Sequence, residues 1–138
     1  MSTSEADGVV SADVYRAQEQ AKPWGHEVIF AAIEGKYVGK VIHVNAGHSL
    51  STQYHLEKEE TISVLKGEAL VEYGTDPDGL TSARFVPGDT IHLPPGVVHR
   101  IEAVTDVVFA ECSTAHAGWR HDVVRLNDAY GRVGTQEP

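Results

Sequence analysis

The sequence has a single cysteine, Cys112, in 138 residues. No disulfide can form within the chain, so nothing argues for an oxidising compartment. The role expected of that thiol is a small buried hydrophobe. Basic residues are scarce as well: 11 Lys and Arg stand against 20 Asp and Glu, a net charge of −9. Such a surface repels phosphate backbones and anionic lipid, which argues against nucleic acid and membrane as partners. A local basic pocket for a small anion stays compatible with it. No apolar run approaches membrane-spanning length. The opening MSTSEADGVVSADVYRAQEQAK is polar and acidic, without the apolar stretch of a signal peptide. The expectation is a soluble, cytoplasmic protein. Internal repeats and low-complexity blocks are absent, and the length suits one domain.

Helical periodicity is also lacking until the C-terminal DVVRLNDAYGR (Asp122–Arg132), where a short helical segment is expected. A short helix around Asp13–Gln20 is the one other candidate, inside a polar, loosely ordered leader over residues 1–21. What is present from Trp24 onward is a series of short stretches rich in Val, Ile, Tyr and Phe. These predict strands at Glu27–Ile33, Tyr37–Val44, Leu50–His55, Glu60–Lys66, Glu68–Tyr73, Ser82–Val86, Thr90–Leu93, Val98–Ala103 and Val107–Ser113. Turn signals separate them: EGK, NAGH, DPDG, PGD and PPG. Short strands at such regular spacing predict an all-β antiparallel sandwich or barrel. The domain is expected over residues 22–132, with a flexible tail at 133–138.

Within STQYHLEKEETISVLKG (Ser51–Gly67), Gln53 and His55 are two apart and Glu60 is five further on. Side chains at i and i+2 of a strand share a face. After the turn at 56–59, Glu60 opens the next strand, and Gly67 ends that strand where the chain must turn sharply. Downstream, PGDTIHLPPGVVH carries His99 on the strand that follows a rigid Pro-Pro-Gly turn. Two imidazoles, one carboxylate and one amide oxygen make a donor set for a divalent ion such as Zn, Mn, Fe, Co or Ni. A neutral Gln keeps such an ion more Lewis-acidic than a second carboxylate would.

The intervals Gly47-x5-Gln53-x-His55-x4-Glu60-x6-Gly67 and Gly88-x5-Pro94-x-Gly96-x2-His99 match both cupin motifs, with Gln53 in place of the first His of the usual pair and Ala103 in place of the closing Asn. With KPWGHE (Lys22–Glu27), LSTQYH (Leu50–His55), PPGVVHRIE (Pro94–Glu102) and DVVRLNDAYGR, the chain resembles the type II mannose-6-phosphate isomerase cupin domain over about residues 22–132. That resemblance implies a small double-stranded β-helix, a jelly-roll-like barrel, with metal on Gln53, His55, Glu60 and His99. It implies aldose–ketose isomerisation or epimerisation of a sugar or sugar phosphate through a metal-stabilised enediol. Glu111 is then the candidate general base or a supporting partner, and Lys40 the candidate for stabilising an oxyanion or an anionic substrate. Arg132, Arg100 and Trp24 are substrate-binding candidates, although Arg100, next to His99, points to the opposite face of a regular strand. The family is rich in His and Arg after the ligand His. Here the segment reads LEKEETI (Leu56–Ile62), and its EKEE run reads as a solvated turn bringing no cation to the metal. An Fe(II)-dependent dioxygenase and a non-catalytic sugar-binding protein remain as alternatives, since one scaffold hosts many chemistries. A homodimer is expected from the exposed edges of a short β chain.

Overall fold

The computed structural model describes residues 11–138. Among the described residues eleven strands run in chain order: β1 (Gln18–Lys22), β2 (Gly25–Ile33), β3 (Tyr37–Val44), β4 (Thr52–Tyr54), β5 (Glu60–Lys66), β6 (Ala69–Gly74), β7 (Thr81–Phe85), β8 (Thr90–Leu93), β9 (Val98–Ala103), β10 (Val107–Ser113) and β11 (Val124–Asn127). They form a six-stranded sheet, β1-β2-β3-β10-β5-β8, and a five-stranded sheet, β11-β4-β9-β6-β7, with every pairing antiparallel. Alternation decides which residues turn inward. On β5, Glu60, Ile62 and Val64 are buried, and on β10, Val107, Phe109, Glu111 and Ser113. The apolar members of these rows join Ile42, Val44, Val71, Leu93 and Ile101 in one core between the sheets. Polar members of the same rows, Glu60 at the start of β5 and Glu111 near the end of β10, are thereby delivered into the interior.

Tight turns connect the strands. Gly67, after β5, has φ +84°, and a Cβ there would lie 2.1 Å from the Asp106 carbonyl oxygen. Only glycine fits both demands.

Three expectations need correction. The helix expected around Asp13–Gln20 does not form; Gln18–Lys22 is β1, paired with β2 from Gln18↔Ile29 to Lys22↔Gly25. A short isolated helix is marginal in water, whereas an edge strand gains a ladder. The C-terminal helical segment reduces to a 3-10 turn at Trp119–His121, and DVVRLNDAYGR instead supplies β11, which pairs with β4. Cys112 is exposed rather than buried. It sits between inward Glu111 and Ser113, so strand parity turns it out. No helix among the described residues is long and apolar enough to cross a membrane.

Candidate metal centre

The donors converge from both sheets. β4 carries Gln53, directly opposite His99 on β9, and His55 follows at the end of β4. Glu60 opens β5 of the other sheet, next to β10 with Glu111. His55 Nε2 and His99 Nε2 lie 3.2 and 3.1 Å from Glu60 Oε1. All three residues are buried, and their donor atoms lie within 4.8 Å of one another.

The Nδ1 of each ring is engaged by a backbone carbonyl, so that Nε2 is the nitrogen facing Glu60. His55 Nδ1–H donates to the Asp122 carbonyl at 2.5 Å, and His99 Nδ1–H to the Val97 carbonyl at 3.0 Å. Each bond turns Nε2 toward Glu60, with His55 Nε2 hydrogen-bonded to Glu60 Oε1 at 3.2 Å, and a ring fixed through Nδ1 in this way is prepared to ligate a metal through Nε2 once that nitrogen is deprotonated. His99 Nε2 is buried and makes no hydrogen bond of acceptable geometry, near as it is to Glu60. The donor set therefore fits a divalent cation, held by His55 Nε2, Glu60 Oε1 and His99 Nε2. Burial alone would raise the Glu60 carboxyl, but Lys58 and the two imidazoles hold it well below the ordinary glutamate range. Burial pushes the His99 imidazole down; Glu60, then the Val97 carbonyl and Glu111, more than offset this and place it above the ordinary histidine value.

Lys58 contradicts the reading of EKEE as a solvated turn. Its neighbours Glu57 and Glu59 are exposed, but Lys58 is buried at 6% relative exposure. Its Nζ donates to Glu111 Oε2 at 3.2 Å and forms an ion pair, without hydrogen-bond geometry, with Glu60 Oε2 at 3.2 Å. Burial works against the ammonium, yet Glu111 and Glu60 outweigh it and hold Lys58 above the ordinary lysine value. A cation thus does stand beside the donor cluster.

Asp122 sets this turn. Its carboxylate accepts the backbone N–H groups of Leu56 (2.7 Å), Glu57 (2.9 Å) and Lys58 (2.8 Å), with His116 Nε2 3.1 Å away. Burial would raise this carboxyl, but the three N–H bonds and His55 hold it below its ordinary value. One residue therefore orients His55 through its carbonyl and fixes the Lys58 backbone through its side chain. Asp122 opens DVVRLNDAYGR, so the sequence displayed it without revealing this function.

The chain matches the family model described as mannose-6-phosphate isomerase C-terminal over residues 11–128. The chain belongs to that family. Its fold is the cupin fold, as the solved structures show. The Staphylococcus aureus capsular polysaccharide assembling protein CapF aligns at TM-score 0.71 and 18% identity, over 83% of this chain and 35% of that one. Bacillus subtilis oxalate decarboxylase aligns at 0.69 and 15%, over 80% and 30%. KdgF from Halomonas sp. aligns at 0.60 and 18%, over 73% and 88%. The chain thus spans about a third of the length of CapF and of oxalate decarboxylase. No curated protein sequence matches it.

A cavity opens over the donor cluster, lined by His55 and Glu60. Gln53 lines it, its Oε1 accepting from Ser51 Oγ at 2.7 Å. Glu111 and Lys40 also line it, and Lys40 Nζ donates to Glu27 Oε1 at 3.2 Å. Trp24 is part of the core and reaches the cavity wall. Arg132 lines the cavity while pairing with Asp128, Nε to Oδ2 at 2.8 Å and NH2 to Oδ1 at 3.1 Å. Arg100 is the substrate-binding candidate that stays outside. It pairs with Glu72 (3.1 Å) and Glu102 (3.0 Å) and does not line the cavity, because alternation turns it away from the face that carries His99.

Sequence reasoning missed Lys22, Lys58, Arg120 and Arg125, which line the cavity too. Arg125 also bonds the tail expected to be flexible, through the Thr135 and Glu137 carbonyls. Six of the chain's eleven Lys and Arg side chains therefore surround the cavity, against four of its twenty carboxylates. Crowding is visible at Lys22: burial lowers its pKa, Glu27 opposes, and the charges of Lys40, Arg132 and Arg125 lower it further.

Proposed function

We propose that the chain is a metal-dependent isomerase or epimerase acting on a sugar phosphate. The observation that carries this reading is the concentration of cations around the His55–Glu60–His99 cluster in a chain of net charge −9. The gathering of more than half of an acidic protein's basic side chains around one cavity supports the reading of an anion site there. Family membership supports the same reading. Mn(II) centres in oxalate decarboxylase lend support to a metal on this fold.

A divalent ion on His55, Glu60 and His99, with Gln53 as a fourth ligand, would supply Lewis-acid polarisation of the substrate carbonyl. The remaining work falls to side chains. Glu111, inward on β10, takes the proton from the carbon next to the carbonyl and returns it to the former carbonyl carbon, while the hydroxyl proton passes from one substrate oxygen to the other. Lys58 holds Glu111 in place through its 3.2 Å hydrogen bond. Lys22, Lys40, Arg125 and Arg132 bind the phosphate and so position the sugar carbons over Glu111.

The test is solvent exchange. Metal-loaded protein is incubated in D2O with a panel of aldose and ketose phosphates, and deuterium entering C1 or C2 is followed by NMR. Incorporation that disappears in Glu111→Gln with metal content unchanged supports the reading. No incorporation with any sugar phosphate at full metal loading refutes it. Two imidazoles and one carboxylate also suit Fe(II) and O2, so oxygen uptake by the iron-loaded protein with candidate substrates would favour the dioxygenase reading instead.

A further inference from the structure

We propose that Lys58 is the internal counter-cation of the donor cluster: it keeps the metal-free site folded and lowers the affinity of the site for a divalent ion. This rests on the metal reading above and adds the control of that site's affinity.

Two buried carboxylates, Glu60 and Glu111, enter the same interior from adjacent strands. Buried charges persist only when paired, and removing one partner leaves the other uncompensated at high cost. Lys58 Nζ is the shared partner, 3.2 Å from one oxygen of each. Its burial is imposed by the backbone, since Asp122 holds the Lys58 N–H at 2.8 Å and the exposed residues on either side turn outward. The ammonium faces Glu60 Oε2, whereas the imidazoles face Glu60 Oε1. Ammonium and ion can therefore act on the same carboxylate from different oxygens. The ammonium supplies part of the charge that Glu60 would otherwise draw from the ion, and it repels the ion across a few ångströms of low-dielectric interior. Both effects weaken metal binding. Both also make the apo site less dependent on metal for its integrity. A cluster without Lys58 would bind its ion more tightly and collapse without it.

The decisive experiment compares full-length wild type, Lys58→Met and Glu111→Gln. Co(II) affinity is measured by chelator competition, and thermal unfolding is followed with and without Co(II). Lys58→Met should bind Co(II) at least about tenfold more tightly. Its metal-free form should unfold at a lower temperature, and added Co(II) should raise that temperature more than in wild type. Glu111→Gln should move the other way, because the whole ammonium charge then falls on Glu60: Co(II) binding weakens. Unchanged or weaker binding by Lys58→Met overturns the proposal, as does a shift of both variants in the same direction. If metal-free Lys58→Met does not fold, Glu111→Gln decides: weaker Co(II) binding supports the proposal, and equal or tighter binding overturns it. A wild type that takes up no Co(II) defeats the metal reading along with this one, whereas absent turnover bears on the isomerase reading alone.

Discussion

Replacing Asp122 by alanine removes three backbone hydrogen bonds in one step, those from Leu56, Glu57 and Lys58 at 2.7, 2.9 and 2.8 Å. A hydrogen bond to a charged group contributes about 1.5–3 kcal/mol. The Leu56 and Glu57 segment is exposed, so water replaces much of what those two N–H groups lose. The Lys58 N–H is buried and loses its bond nearly in full. The expected cost is about 3 kcal/mol. For a domain of this size that is a fall in Tm on the order of 10 °C. The pH dependence has a definite sign. The folded-state carboxyl of Asp122 lies below its ordinary 3.8. Its ionised form therefore contributes stability that is complete above the ordinary value and is lost as pH falls through the depressed one. Chemical denaturation of wild type and Asp122→Asn between pH 7 and pH 3 checks this. The gap between them should be constant from neutral pH down to about 5 and should shrink in acid. The Ala variant should also retain less metal, because the segment whose Asp122 carbonyl orients His55 loosens. A loss below about 1 kcal/mol, or a gap that widens in acid, would refute the reasoning.

His99→Ala should lower metal affinity by more than about 100-fold, since even residues that merely support a ligand cost 10–100-fold; elemental analysis after dialysis measures it. Gly67→Ala places an L residue at φ +84° with its Cβ 2.1 Å from the Asp106 carbonyl oxygen. It should cost about 3 kcal/mol or more in equilibrium unfolding. Inorganic phosphate should raise the Tm of wild type, and Lys40→Met should reduce that rise without changing metal content; an equal rise in both would remove Lys40 from the anion site.

Much of the fold was legible because alternation is a local signal. The stretches Tyr37–Val44, Glu60–Lys66, Thr90–Leu93, Val98–Ala103 and Val107–Ser113 became strands with those bounds. The intervals among Gln53, His55, Glu60 and His99 marked side chains that the fold brings together, Gln53, His55 and Glu60 lining the cavity and His99 Nε2 lying 3.1 Å from Glu60 Oε1, because a two-residue step and a short turn fix where neighbouring strand ends meet. Lys58 could not be read in that way. In EKEE four charged side chains look alike, and the one that turns inward is chosen by Asp122, 64 residues away. A distant hydrogen bond leaves no periodic trace. Cys112 is a different miss, since a base at Glu111 has to face the interior and strand parity then puts the neighbouring thiol outside. The β1 strand was hidden because QEQAK carries little β propensity, and its pairing with β2 makes it extended.

The donor cluster straddles the two sheets: Glu60 belongs to the six-stranded one, His99 to the five-stranded one. An ion held by both is a cross-link in a chain that has no disulfide. A covalent tie closing a loop of roughly 40 residues would remove about 4 kcal/mol of unfolded-chain entropy, and a coordinated ion approaches that limit as its affinity rises. The spacing between the sheets would then depend on occupancy, so chelation of metal-loaded protein should hasten amide hydrogen exchange on β4, β5 and β9 well before the molecule unfolds.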